Sequence, residues 1–109
     1  MNFDEYQKKS RETAQYPDIG KNYLYPVLGL CGESGEVAEK FKKLIRDKNN
    51  ILTDDYKAEI KKELGDIIWY IAQIATELGI SFDDIAETNI EKIMSRMERS
   101  KINGNGDNR

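Results

Sequence analysis

With 109 residues the chain has room for one domain, and a balance of 39% hydrophobic to 34% charged residues suits a water-soluble globular protein, not a disordered one. A net charge of −3 argues against a nucleic-acid binder, which carries a basic excess on one face. No apolar run approaches the roughly 20 residues of a membrane span, no signal-peptide core follows the acidic N-terminus, and a single cysteine cannot form an internal disulfide, so a cytoplasmic protein is expected.

The hydrophobic spacing predicts four helices with short connections, an all-α domain over residues 1–102 and a flexible tail over 103–109. The first helix runs from about Asn2 to Ala14, and Pro17 disfavours helical geometry at Tyr16. The second runs from about Tyr23 to Arg46, with Pro26 near its start and Lys42, Lys43 and Arg46 favourable at its C-terminal end. Cys31, in an apolar stretch of this helix, reads as a buried, inert thiol. Thr53 is the expected N-cap of the third helix, which carries Asp54 and Asp55 in its first turn and reaches Leu78 before Gly79. Ser81 then caps a fourth helix that continues to about Lys101.

The third helix sets the architecture. Ile60, Leu64, Ile67, Ile71, Ile74 and Leu78 form one apolar stripe at helical spacing. Ile68, Trp69, Tyr70 and Ala72 carry apolar character most of the way round. One small chain offers few partners for such a helix. The expected fold is therefore a four-helix bundle completed by homo-oligomerisation, as a homodimer or homotetramer.

Two stretches carry the chemistry. Gly29-Leu-Cys-Gly-Glu-Ser-Gly-Glu-Val-Ala-Glu-Lys holds Glu33 and Glu36, and Lys62-Glu-Leu-Gly-Asp-Ile-Ile-Trp-Tyr holds Glu63 and Asp66. Acids three residues apart share one face of a helix. If the second and third helices pack antiparallel, four carboxylates converge, which is costly unless a cation sits among them. The chain has no histidine, which removes the usual general base, the usual zinc ligand and the E-x-x-H motif of di-iron bundles. Carboxylate oxygens alone select Mg²⁺ or Mn²⁺. A solvated acidic face is the bland alternative for each pair. Gly32, Ser34, Gly35 and Gly65 beside the acids suggest close approach of another helix or a ligand, since glycine costs about 1 kcal/mol against alanine inside a helix.

These two motifs, in this order and with these flanks, resemble the E-x-x-E and E-x-x-D signature of MazG-type nucleotide pyrophosphohydrolases, an all-α superfamily that includes dimeric dUTPases and dCTPases. The likeness spans roughly residues 20 to 97. It implies metal-dependent hydrolysis of a (deoxy)nucleoside triphosphate to the monophosphate and pyrophosphate, in the service of nucleotide-pool housecleaning. On that resemblance Glu33, Glu36, Glu63 and Asp66 match metal ligands, Tyr70 a phosphate contact, and Asn89 and Lys92 an Asn-x-x-Lys that holds the nucleotide. Glu36 or Glu63 is the candidate to activate water, and Lys43 with Lys92 to neutralise the leaving pyrophosphate. Solvated surface roles are the alternative for both lysines, and a core role for Tyr70. Trp69 could stack on a base or bury itself between subunits. Two further readings stay open: a non-enzymatic helical interaction module with no need of metal, and the same fold acting on a modified nucleotide or an alarmone.

Overall fold

Asn2 starts the first helix by accepting the Glu5 N–H, with Asp4 and Glu5 in the first turn and Lys8, Lys9 and Arg11 in the last. The computed structural model describes residues 1–99, and this helix, α1, spans Phe3–Arg11. It ends before the expected Ala14 because the Thr13 N–H and hydroxyl both turn back to the Ser10 carbonyl, and the Ala14 N–H to that of Arg11, closing tighter turns than an α-helix.

Helix α2 spans Leu24–Asp47. Tyr23 gives it no side-chain cap, and the Asn22 side chain accepts the Tyr25 N–H instead. Asn49 and Asn50, both at positive φ, turn the chain at its end while the Asn50 N–H reaches back to the Leu44 carbonyl. Helix α3 spans Asp54–Leu78, with Thr53 accepting the Tyr56 N–H and Gly79 at φ 69° ending it. Helix α4 spans Phe82–Glu98 and is capped by Ser81, as the sequence indicated. Its expected extension to Lys101 and the tail over 103–109 lie outside the described residues.

All four helices meet on α3 or beside it. Helix α2 runs antiparallel to α3, where Leu44, Tyr56 and Ile60 form a buried cluster and the Tyr56 hydroxyl donates to the Lys40 carbonyl. Helix α1 lies antiparallel along the C-terminal half of α3, through Gln7 to Thr76, Gln73 to Ser10 and Trp69 to Thr13. Helix α4 crosses the start of α1, where the Phe3 and Phe82 rings stack at 4.5 Å. Helices α2 and α4 do not touch among the described residues. The four-helix, all-α architecture matches the expectation, and the bundle has an open side.

The consequence is a thin core. Of the α3 stripe only Ile60 is buried, while Leu64 and Leu78 stay 49% and 53% exposed. Ile68 and, on α4, Ile90 and Met97 are exposed as well. The radius of gyration is 16.8 Å, against about 13 Å for a compact chain of this size. Cys31 is exposed, contrary to the expected buried thiol. It stands two residues from both Gly29 and Glu33, roughly 200° around α2 from the face that meets α3. No helix among the described residues is long and apolar enough to cross a membrane.

Candidate metal and nucleotide site

The antiparallel pairing of α2 and α3 brings their acidic motifs level with each other. One carboxylate oxygen from each of Glu33, Glu63 and Asp66 lies within 4.8 Å of the other two. Ligand oxygens on opposite sides of a Mg²⁺ ion stand about 4.2 Å apart, twice the usual bond length, so these three could close on one hard cation with small adjustments. Glu33 is half-buried, and its carboxyl is held above the usual range by desolvation first, then by the charges of Asp66 and Glu63, a hydrogen bond with Glu63 and the charge of Glu36. That is the electrostatic signature of acids crowded together without a counter-charge. An oxygen-only donor set under mutual repulsion fits a divalent cation.

Glu36 is exposed and is not part of this three-oxygen group, although its charge reaches Glu33 one turn away. Glu39 pairs with Lys42 at 3.2 Å.

Tyr70 joins the site through a glycine. Its ring lies across Gly29, and a Cβ there would run into the ring carbons. Gly29 and Glu33 are one turn apart on α2, as are Asp66 and Tyr70 on α3, so this contact sets the phenol beside the acids. Burial, then Tyr25, Glu33 and Asp66, push the Tyr70 hydroxyl upward, keeping it a neutral donor. The close approach expected at Gly32, Gly35 and Gly65 falls at Gly29 instead, since those three face open space in this chain and Ser34 turns back to the Leu30 carbonyl.

Trp69 faces the chain just past α1: its indole N–H donates to Thr13 at 2.9 Å and its ring meets Tyr70 edge-on at 5.0 Å. Lys43 is exposed near the end of α2, about 15 Å along the helix axis from Glu33. Asn89 and Lys92 share a groove of about 350 Å³ on α4 with Ile80, Asp84 and Thr88, a helix that does not meet α2. The chain thus gathers Glu33, Glu63, Asp66 and Tyr70, with Glu36 at the edge, and leaves Lys43, Asn89 and Lys92 elsewhere.

Three participants escaped the sequence reading. Tyr6, on α1, is raised by burial and then by the Asp66 charge. Nothing in the spacing of α1 signals this. Tyr25 and Gly29 precede Glu33 at successive intervals of four, one continuous face that the sequence does display.

The chain is 40% identical to the Gene 37 protein of Mycobacterium phage L5 over 114 aligned positions, covering all of both chains. That name states no activity. No solved structure matches significantly. The sequence model of the MazG nucleotide pyrophosphohydrolase domain matches residues 23–100. That stretch takes in α2, α3 and α4 and every acid of the cluster, and leaves out only α1 and its connection among the described helices. On that match the chain belongs to the MazG nucleotide pyrophosphohydrolase family.

Proposed function

We propose that this protein hydrolyses a (deoxy)nucleoside triphosphate to the monophosphate and pyrophosphate in the cytoplasm, with Mg²⁺ or Mn²⁺, as a homo-oligomer that clears nucleotide pools. The observation that carries the reading is the convergence of Glu33, Glu63 and Asp66, from two helices, inside the family match. An acidic protein repels a triphosphate, and a cation held by its carboxylates would offset most of that local charge. When bound, the metal would supply Lewis-acid polarisation of the phosphoryl group and a lowered pKa for water.

The chain's own residues would share the remaining work. Glu33, Glu63 and Asp66 would hold the ion. Glu36, exposed one turn beyond Glu33, is the carboxylate left to orient water and take its proton, with Glu63 the other candidate. Tyr70 would donate its hydroxyl hydrogen to a phosphate oxygen. Asn89, Lys92 and Lys43 would serve the nucleotide held by a neighbouring copy, and Trp69 would line its base side through Tyr70.

The thin core supports the oligomeric reading. Leu44, Tyr56 and Ile60 each contribute about 2 kcal/mol by burial, little against the entropy of ordering such a chain. A second copy on the exposed faces of α3 and α4 would supply the missing burial. The test is a screen of NTPs and dNTPs with Mg²⁺, reading pyrophosphate and product, alongside light scattering. Pyrophosphate release that stops with chelator is expected, from a particle larger than one chain. Turnover in chelator would overturn the metal site, diphosphate plus orthophosphate would point to another hydrolase, and no turnover on any nucleotide would favour a helical interaction module.

A further inference from the structure

The α1–α2 connection, residues 12–23, has no helix of its own, yet it is tied down from one point. Glu77, in the last turn of α3, has a side chain only 1% exposed. Its Oε2 accepts from Arg11 Nη2 at 2.7 Å, the Tyr16 hydroxyl at 2.6 Å and the Gly20 N–H at 2.8 Å, and its Oε1 accepts the Asn22 N–H at 2.7 Å. Burial alone would raise this acid. The Tyr16 hydroxyl, the Asn22 N–H, Arg11 and the Gly20 N–H bring it down to about 2. Simple burial would be served as well by an apolar side chain. Four directional bonds instead fix where the connection runs.

What the connection delivers is a ring stacked against α2. Tyr16 stacks on Tyr25 at 5.2 Å with the planes 12° apart. Tyr25 stands one turn before Gly29 on the same face of α2, and Gly29 is where the Tyr70 ring lies. Tyr70 then meets Trp69 edge-on, and Trp69 is tied back to Thr13 in the same connection. Two ring pairs, Tyr16–Tyr25 and Trp69–Tyr70, thus come to α2 one turn apart, at Tyr25 and at Gly29, between Glu77 and the acids.

We infer that Glu77 is a positioning residue for the nucleotide site: it holds the connection so that the Tyr16–Tyr25 stack sets the Tyr70 hydroxyl beside the metal-binding acids. The inference rests on the function proposed above for its consequence in catalysis, and on the two ring pairs that meet the Tyr25–Gly29 face of α2 for its mechanism. It separates two properties of the site. Displacing Tyr70 weakens the grip on phosphate, while the three acids, fixed by the α2–α3 pairing, keep their hold on metal.

The test uses the full chain and three substitutions. Glu77→Gln removes the charge, Tyr16→Phe keeps the stack without its hydroxyl, and Tyr25→Leu keeps every bond to Glu77 but removes the stack. Steady-state kinetics on the four dNTPs with Mg²⁺, Mn²⁺ affinity by electron paramagnetic resonance, and emission of Trp69, the only tryptophan, are read for each. Glu77→Gln and Tyr25→Leu should each raise KM about tenfold and shift the Trp69 emission, with Mn²⁺ affinity unchanged. Tyr16→Phe should do the same to a smaller degree. Wild-type KM and emission in Tyr25→Leu would overturn the inference, as would loss of Mn²⁺ binding in parallel with KM. If Glu77→Gln does not fold, the two tyrosine variants decide. If the wild type turns over no NTP or dNTP, the proposed function falls, while emission and Mn²⁺ affinity still decide the positioning role.

Discussion

Two groups of carboxylates on α3 have opposite surroundings. At the helix end, Glu77 is buried and surrounded by four donors, which hold its pKa near 2. About three turns earlier, Glu63 and Asp66 face Glu33, and the nearest charges to that glutamate are other carboxylates, which push it upward along with desolvation. The protein satisfies the first acid from its own backbone and side chains. Among the described residues, the charges that shift Glu33 in the second group are those of other acids. A carboxylate whose partners are all internal serves the fold, whereas acids left to repel one another are arranged for something the chain does not itself supply.

Substituting one member of each group tests this contrast directly. Asp66→Asn keeps size and helical character, so it should cut nucleotide hydrolysis roughly a thousandfold through the lost ligand. The metal-free melting temperature should hold or rise as repulsion is relieved. Glu77→Ala should behave in reverse, costing about 3 kcal/mol in urea melts because it strands Arg11 and two backbone N–H groups. Adding Mg²⁺ should stabilise Glu77→Ala as much as wild type, and Asp66→Asn much less. Equal Mg²⁺ stabilisation of all three would erase the distinction.

The sequence made the acid cluster legible and left the Glu77 hub hidden, for a physical reason. Glu33, Glu63 and Asp66 sit in local patterns of three, and one assumption, antiparallel pairing of two helices, was enough to bring them together. The caps at Thr53, Ser81 and Gly79 are local in the same sense. Glu77 gathers donors 55 to 66 residues away, and no short spacing announces that. Cys31 was misread because an apolar neighbourhood in sequence says nothing about which face of α2 meets α3. The placement of Asn89 and Lys92 away from the acids has the same origin, since their pattern is local and the path of α4 is not.

Gly29 offers a sharper probe between the two groups, because it touches the Tyr70 ring without carrying charge. Gly29→Ala forces that ring to move or the helices to part. Overpacking of this kind costs about 1–3 kcal/mol, partly offset by alanine's better helix propensity. KM should rise while Mg²⁺ stabilisation persists. Gly32→Ala, which meets open space in the chain, provides the control. If it instead disrupts assembly by light scattering, that face of α2 belongs to the subunit interface.

The smallest effect is the pH dependence of stability, where the two groups predict slopes of opposite sign. Glu77 titrates at about 2 in the folded chain and near its ordinary 4.5 when unfolded. Between those values the unfolded state binds more protons, so stability from Glu77 is complete above 4.5 and is lost as pH falls toward 2. Glu33 is raised above 4.5, so in the window above that value the folded state binds more protons and stability falls as pH rises. Acidifying the metal-free protein from neutrality should therefore first raise its melting temperature and then, below about 4.5, lower it. Asp4 and Asp47, also held down by their hydrogen bonds, add to the acid-side loss. Saturating Mg²⁺ should abolish the first rise, because a cation among Glu33, Glu63 and Asp66 removes the repulsion that lifts Glu33. Glu77→Gln should flatten the acid-side fall and leave the rise intact. A metal-free melting temperature that only declines from pH 7 downward would mean Glu33 is not under the strain its neighbours impose, and the contrast between the two groups would lose its electrostatic basis.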